Sequence, residues 1–176
     1  MTQRIYKKMV SLLLIAILSL AIVTVLTAED TFAATSYVTM AERASNYRGT
    51  VPVYKNTGTI QWTSSGQNGV LSRNVYVEYI ETVGSYYKVK WGSSVGYVKT
   101  NQGTKVASLP AGTTKLSSAK KETHGVYSGY LAASTYVIYT DASAGKIKWA
   151  TYCNDSLSYG DETKWIVPGI AKLSSL

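Results

Sequence analysis

Gly69-Val-Leu-Ser-Arg-Asn-Val-Tyr-Val-Glu-Tyr-Ile-Glu81 lies over Gly129-Tyr-Leu-Ala-Ala-Ser-Thr-Tyr-Val-Ile-Tyr-Thr-Asp141 at a constant offset of 60, matching Gly, Leu, Tyr, Val and Tyr, with Glu81 facing Asp141. Lys88-Val-Lys-Trp91 then lies over Lys146-Ile-Lys-Trp149 at an offset of 58. The slip falls in a stretch two residues longer in the first copy, where a hairpin loop tolerates a change of length. Tyrosine matches are cheap in a chain with 15 Tyr, but Trp occurs only 4 times in 176 residues, so the aligned Lys-x-Lys-Trp weighs more. The echo predicts two copies of one small β module.

Each copy reads as strands. Val75, Val77 and Tyr79 alternate with Tyr76, Glu78 and Ile80, a turn follows at Gly84-Ser85, and Tyr87, Val89 and Trp91 then oppose Lys88 and Lys90. Val95-Gly-Tyr-Val98 reads as a short closing strand. In the second copy Thr135, Val137 and Tyr139 are expected inward, then Ile147 and Trp149, with Lys146 and Lys148 outward. Lys164-Trp-Ile-Val-Pro168 closes that copy, after an insertion at 152–162. After Leu26 no stretch holds a 3.6-residue apolar period over three turns, so short strands with Gly-Ser-Asn turns point to an all-β fold of two tandem small barrels. The expected layout is an N-terminal segment over 1–33, a weakly helical or irregular lead-in over 34–49, module 1 over 50–103, a linker over 104–111 and module 2 over 112–176. Modules this small bury only about 60% of the unfolded chain's surface, so each gains from packing on its neighbour.

Arg4, Lys7 and Lys8 precede an uncharged run of 17 residues, Val10 to Leu26, followed by small-residue cleavage options after Ala28 and Ala33. This reads as an export signal, or as an uncleaved anchor, since the run just spans a thin bilayer. The remainder is then secreted, extracellular or associated with the cell wall, and crosses no membrane unless the segment is retained. Cleavage after Ala28 removes three cations and leaves 15 Lys and Arg against 10 Asp and Glu, a net +5; cleavage after Ala33 also removes Glu29 and Asp30, giving +7. A basic exported chain suits an anionic wall polymer or anionic lipid. Nucleic acid is disfavoured, because Arg occurs only at 4, 43, 48 and 73 and forms no tract.

The segment Asn68-Gly-Val-Leu through Ser85-Tyr-Tyr-Lys-Val-Lys-Trp-Gly-Ser-Ser-Val-Gly-Tyr-Val98 resembles the bacterial SH3-like (SH3b) family, through Gly69, Leu71, Tyr87, Lys88, Val89, Gly92, Gly96, Tyr97 and Val98. The second copy is similar to the SH3b variant at the C-terminus of lysostaphin-type cell-wall hydrolases, through Ser128-Gly-Tyr-Leu131, Tyr136-Val-Ile-Tyr139, Gly145 to Tyr152 and Lys164 to Pro168. The resemblance implies two SH3-like barrels that bind peptidoglycan peptide or cross-bridge without catalysis. Tyr86 stands where the family's first copy usually has Trp, and 153–162 enlarges a loop in the second. The alternative is a secreted interaction factor, such as an inhibitor, adhesin or antimicrobial protein, acting on a protein or an anionic membrane.

Aromatic use is lopsided, with 15 Tyr and 4 Trp against a lone Phe32. Tyr and Trp join an apolar body to a polar tip and suit partly wet positions, whether as half-exposed parts of a small barrel or as stacking platforms flanked by Lys. Tyr54, Trp62, Tyr76, Tyr86, Tyr130, Tyr136 and Tyr152 are expected outward or on loops and are the candidate ligand-binding residues; Tyr79, Trp91, Tyr139 and Trp149 are expected in the core.

An enzyme would have to use His124 and Cys153, the single His and single Cys. Cell-wall cysteine peptidases place Cys before His, the reverse of this order. Sortases and L,D-transpeptidases place His first but surround the thiol with motifs and an Arg that Ala150-Thr-Tyr-Cys153 lacks. Cys153 reads as a small buried apolar side chain, and with no partner it forms no intrachain disulfide. Asp155, Asp161 and Glu162 do not have the spacing of an ordered calcium loop, and neither a zinc cluster nor a phosphate-cradling loop is present in the sequence. The reading is a non-enzyme with no cofactor and no metal.

Overall fold

The strand-forming alternation is carried through most of the chain. The computed structural model describes residues 34–42, 49–154 and 164–176, with side chains described for 34–42, 49–150 and 168–176. The expected signal or anchor over 1–33 lies outside the described residues. In chain order the strands are β1 (Tyr37–Met40), β2 (Thr50–Pro52), β3 (Thr63–Ser64), β4 (Gln67–Asn68), β5 (Val70–Ser72), β6 (Val77–Val83), β7 (Tyr86–Trp91), β8 (Ser94–Lys99) and β9 (Gly103–Val106). They continue as β10 (Thr113–Lys115), β11 (Lys120–His124), β12 (Tyr127–Leu131), β13 (Tyr136–Asp141), β14 (Lys146–Asn154) and β15 (Lys164–Ser174). The described fold is therefore all-β, as expected.

Pairing gives a five-stranded sheet in the order β8-β7-β6-β1-β9, a six-stranded sheet in the order β10-β13-β14-β15-β11-β12, and two small ribbons, β2-β5 and β3-β4. Among the described residues these sheets do not close into two separate barrels. The expected lead-in is also corrected: Tyr37–Met40 is a strand that sits between β6 and β9, next to the edge of the five-stranded sheet. Its signal is short, since only Val38 and Met40 face inward. The expected linker over 104–111 is partly strand as well, because β9 runs to Val106 and pairs along the whole of β1.

Tight turns set the registers. Ser65 and Gly66, at φ 48° and 73°, form a two-residue turn with both centres left-handed, joining Ser64 to its partner Gln67. Three details recur 60 residues apart. The Thr63–Asn68 and Ser64–Gln67 pairs are matched by Thr123–Ser128 and His124–Tyr127. Asn74 and Ser134 both hold φ 67°. The register of β6 against β7 shifts between Tyr79 and Glu81, and that of β13 against β14 shifts between Tyr139 and Asp141.

One apolar core runs through both parts of the chain. Leu71, Val77, Val89 and Trp91 are buried in the same cluster as their counterparts Leu131, Val137 and Ile147, with Trp149 packed against its edge. Thr35–Leu176 accordingly forms one compact unit. The backbones also meet directly: Tyr76 and Tyr136 exchange reciprocal N–H···O bonds of 2.9 and 2.8 Å, and Gly69 bridges Tyr130 in parallel. At Gly129 a Cβ would lie 2.4 Å from a Val70 methyl, so only glycine lets the two chain segments approach this closely. Trp91 Nε1 donates to the Tyr130 hydroxyl at 3.0 Å inside this seam. Tyr130→Phe is expected to strand the buried indole N–H and cost about 1–2 kcal/mol, read as a lower midpoint in urea unfolding.

Candidate functional site

The chain between β2 and β3 folds back over the end of the five-stranded sheet because Tyr54 pairs on both sides, with Gln61 and with Tyr97 of β8. That return is tightened at Asn56, whose side-chain oxygen accepts from the Gly58 N–H at 2.9 Å. The result leaves three of the expected aromatics half-exposed, Tyr54 and Tyr86 together and Trp62 opposite the inward-facing Val53, packed against the core. Tyr54 and Tyr86 meet edge to face with ring centroids 6.2 Å apart, and the Tyr86 hydroxyl donates to the Gly58 carbonyl at 3.2 Å. Trp62 is anchored by its indole N–H to the Val95 carbonyl at 3.1 Å.

Two cations lie over these rings. Lys99 Nζ is 5.8 Å from the Tyr54 ring centre and Lys55 Nζ is 5.2 Å from that of Trp62. Among the described residues neither lysine belongs to an ion pair. Their charge therefore stays available to a ligand, and the rings beneath are half-exposed, with Trp62 fixed at its polar end. Such a surface can stack on planar or ring-shaped groups and attract anionic ones.

Tyr76, Tyr130 and Tyr136 do not join it. Tyr76 is 8% exposed and Tyr130 4% exposed, so both are core residues at the seam rather than outward aromatics. The alternation along β6 is right, with Ile80 exposed and Glu78 half-exposed, but the outward face at Tyr76 is covered where the backbone pairs with Tyr136. Tyr136 is half-buried and donates its hydroxyl to Glu78. Glu78 also receives Lys115 at 2.9 Å and lies 3.9 Å from Lys90. Burial works to raise the Glu78 carboxyl, but the hydrogen bonds from Tyr136 and Lys115 and the charges of Lys115 and Lys90 outweigh it and hold it below its ordinary value. Tyr136 is thus tied into a satisfied polar network. Tyr152 lies on β14, with its side chain outside the described residues. Of the expected core aromatics Trp91 is buried, while Tyr79, Tyr139 and Trp149 are half-buried against the core.

Two titratable groups stand on β11: Glu122, which the sequence did not single out, and His124, the single His. Glu122 is fully buried, with one carboxyl oxygen accepting from Ser72 at 2.8 Å and the other without a partner; burial raises it to about 7 against that hydrogen bond. His124 stacks on Trp149 with ring centres 4.4 Å apart, and burial lowers its affinity for a proton. The strand Lys-Lys-Glu-Thr-His lacks any apolar alternation, so nothing local in it signals that its second and fourth residues after Lys120 turn inward. The register does not bring His124 and Cys153 together: Thr123 pairs with Lys172 of β15 and Cys153 pairs with Trp165, which puts their backbones roughly 20 Å apart along an extended strand. The Cys153 side chain and the loop holding Asp155, Asp161 and Glu162 lie outside the described residues. Among the described residues no group of three or more His, Cys, Asp or Glu is placed to hold a metal.

Beside His124 a shallow cleft of about 140 Å³ opens between β2, β4 and β12. Comparison with known family models, with curated proteins and with solved structures finds no match to this chain.

Proposed function

We propose that this chain is an exported, non-catalytic bacterial protein that binds the cell envelope, with peptidoglycan peptide or cross-bridge as its target, through two SH3-like modules fused on one core. The observation that carries the reading is a set of half-exposed aromatics under cations: Tyr54 and Tyr86 edge to face with Lys99 over Tyr54, and Trp62 with Lys55 over it, the Tyr86 and Trp62 rings anchored at their polar ends and no carboxylate paired to either lysine among the described residues. Duplication of a module is supported by the turn, the φ 67° residues and the register shifts that recur 60 residues apart. Secretion is supported by the N-terminal basic and apolar run.

The test is retention of the full chain on purified sacculi, with and without their anionic polymers, at about 0.1 M and about 1 M salt, where the screening length falls from roughly 10 Å to roughly 3 Å. Stacking on rings is not screened, so retention on polymer-free sacculi is expected to persist at high salt, while the lysine contribution shrinks. A chain that stays in the supernatant under all four conditions removes the envelope reading. Retention that needs the anionic polymers and vanishes at high salt replaces it with simple charge attraction.

A further inference from the structure

The cleft beside His124 differs in chemistry from the rest of the surface. The chain carries a net charge of +8, yet none of the residues lining this cleft is Asp, Glu, Lys or Arg. Its polar wall is made of side-chain amides and hydroxyls, from Gln61, Asn68 and Ser128, and of His124, which burial keeps neutral near pH 7. Pro52 and Val70 supply apolar surface. The two hairpin tips that frame it, residues 63–68 and 123–128, occupy corresponding places in the sequence echo and are clamped by the Ser128 hydroxyl donating to Gln67 at 2.6 Å. His124 is itself held by stacking on Trp149, so the cleft is formed in advance rather than assembled by a ligand.

We propose that this cleft binds one uncharged, N-acetylated sugar unit. Amide and hydroxyl groups that converge without formal charge match the donors and acceptors of a sugar ring and its acetamido group, and the apolar surface suits the ring's C–H face. The volume, about 140 Å³, is small against the roughly 300–1,000 Å³ of sites for drug-sized ligands, so it suits a single ring rather than a long chain. An extended peptide fits less well. It would need a free strand edge, and along β12 the backbone at Tyr130 is already bridged by Gly69, while Gly129 is pressed against Val70. The proposal deepens the envelope reading and rests on it only for the source of the sugar; none of the lysine-flanked rings lines the cleft.

The experiment is an amide-resolved NMR titration of the full chain with a tetramer of β-1,4-linked N-acetylglucosamine, and in parallel with tetraglycine. The amides of Asn68, Ser128 and Gly129 are expected to move along one saturating curve with the sugar and not with the peptide. Ser128→Trp, which fills the cleft from an exposed position, is expected to weaken the sugar about tenfold, and Asn68→Trp, also exposed, to do the same from β4 should the first variant fold poorly. No saturating movement with the sugar, movement that both fillings leave unchanged, or a response to tetraglycine at these amides overturns the proposal. Retention on sacculi without these shifts removes the cleft assignment alone, whereas saturable sugar binding by a chain that sacculi do not retain removes the envelope reading alone.

Discussion

Glu122→Gln is expected to stabilise the protein above neutral pH and to flatten a fall in stability of about 3 kcal/mol that the parent shows between pH 4.5 and pH 7. The carboxyl is 0% exposed, one oxygen takes the Ser72 hydroxyl and the other finds no partner. Taking a carboxylate out of water without a cation costs more than one hydroxyl returns, so the folded state keeps the proton up to about pH 7, whereas the unfolded chain releases it near 4.5. Between those values the folded state binds more protons, and stability therefore falls as pH rises; below 4.5 the contribution is fully present, and above 7 the loss is complete. His124 acts in the opposite sense, because its lowered affinity makes protonation on unfolding favour the unfolded chain as pH falls. The difference between the profiles of the parent and of Glu122→Gln, rather than either profile, isolates Glu122. Urea unfolding at pH 5, 6, 7 and 8 is expected to show Glu122→Gln gaining on the parent with each step, and to lie at or slightly below it at pH 5, where the amide adds an unpartnered N–H. Parallel profiles would mean that Glu122 is ionised and satisfied in the fold.

Tyr76→Ala is expected to cost roughly 3–5 kcal/mol, as for other buried aromatics cut to alanine, and to lower the stability of the whole unit rather than of one half. The ring is buried at the place where the two parts of the chain exchange backbone hydrogen bonds, and the core behind it draws Leu71 and Leu131, Val77 and Val137, into one cluster. Unfolding followed by tryptophan fluorescence and by far-ultraviolet circular dichroism is therefore expected to give one coincident transition, in the parent and in the variant. A loss below 1 kcal/mol, or two separated transitions, would show that the halves fold independently and meet only at their surfaces.

The contrast between Tyr76 and Tyr86 shows what the sequence could carry. Tyr86 opens β7 and Tyr76 immediately precedes β6, and alternation along β6 and β7 orients the strands correctly, with Val77, Val89 and Trp91 inward. Whether an outward face meets water or the other half of the chain depends on contacts between residues 60 apart, and no local period encodes those. Tyr76 and Tyr130 are lost from the site for that reason, while Tyr54 and Tyr86 stay half-exposed on the return loop and on β7, and Trp62 stays half-exposed although its carbonyl holds Gly69 of the seam. β1 escaped notice because a four-residue strand with two inward side chains leaves little pattern, and Glu122 because a polar strand leaves none. The echo itself was legible because Leu, Val and Trp are reused at core positions, which is a constraint of packing rather than of ligand recognition.

Tyr54 and Tyr86, with Lys99 over Tyr54, and Trp62, with Lys55 over it, are the half-exposed aromatics that carry cations. Trp62 also packs against the core, so its removal is expected to lower stability as well. The most direct measurement is the fraction of the full chain retained on sacculi at about 0.15 M salt, compared between the parent and the double variant Trp62→Ala/Tyr86→Ala. The parent is expected on the sacculi and the variant in the supernatant, with the variant still unfolding in a single urea transition. Equal retention of the two folded proteins would contradict the account.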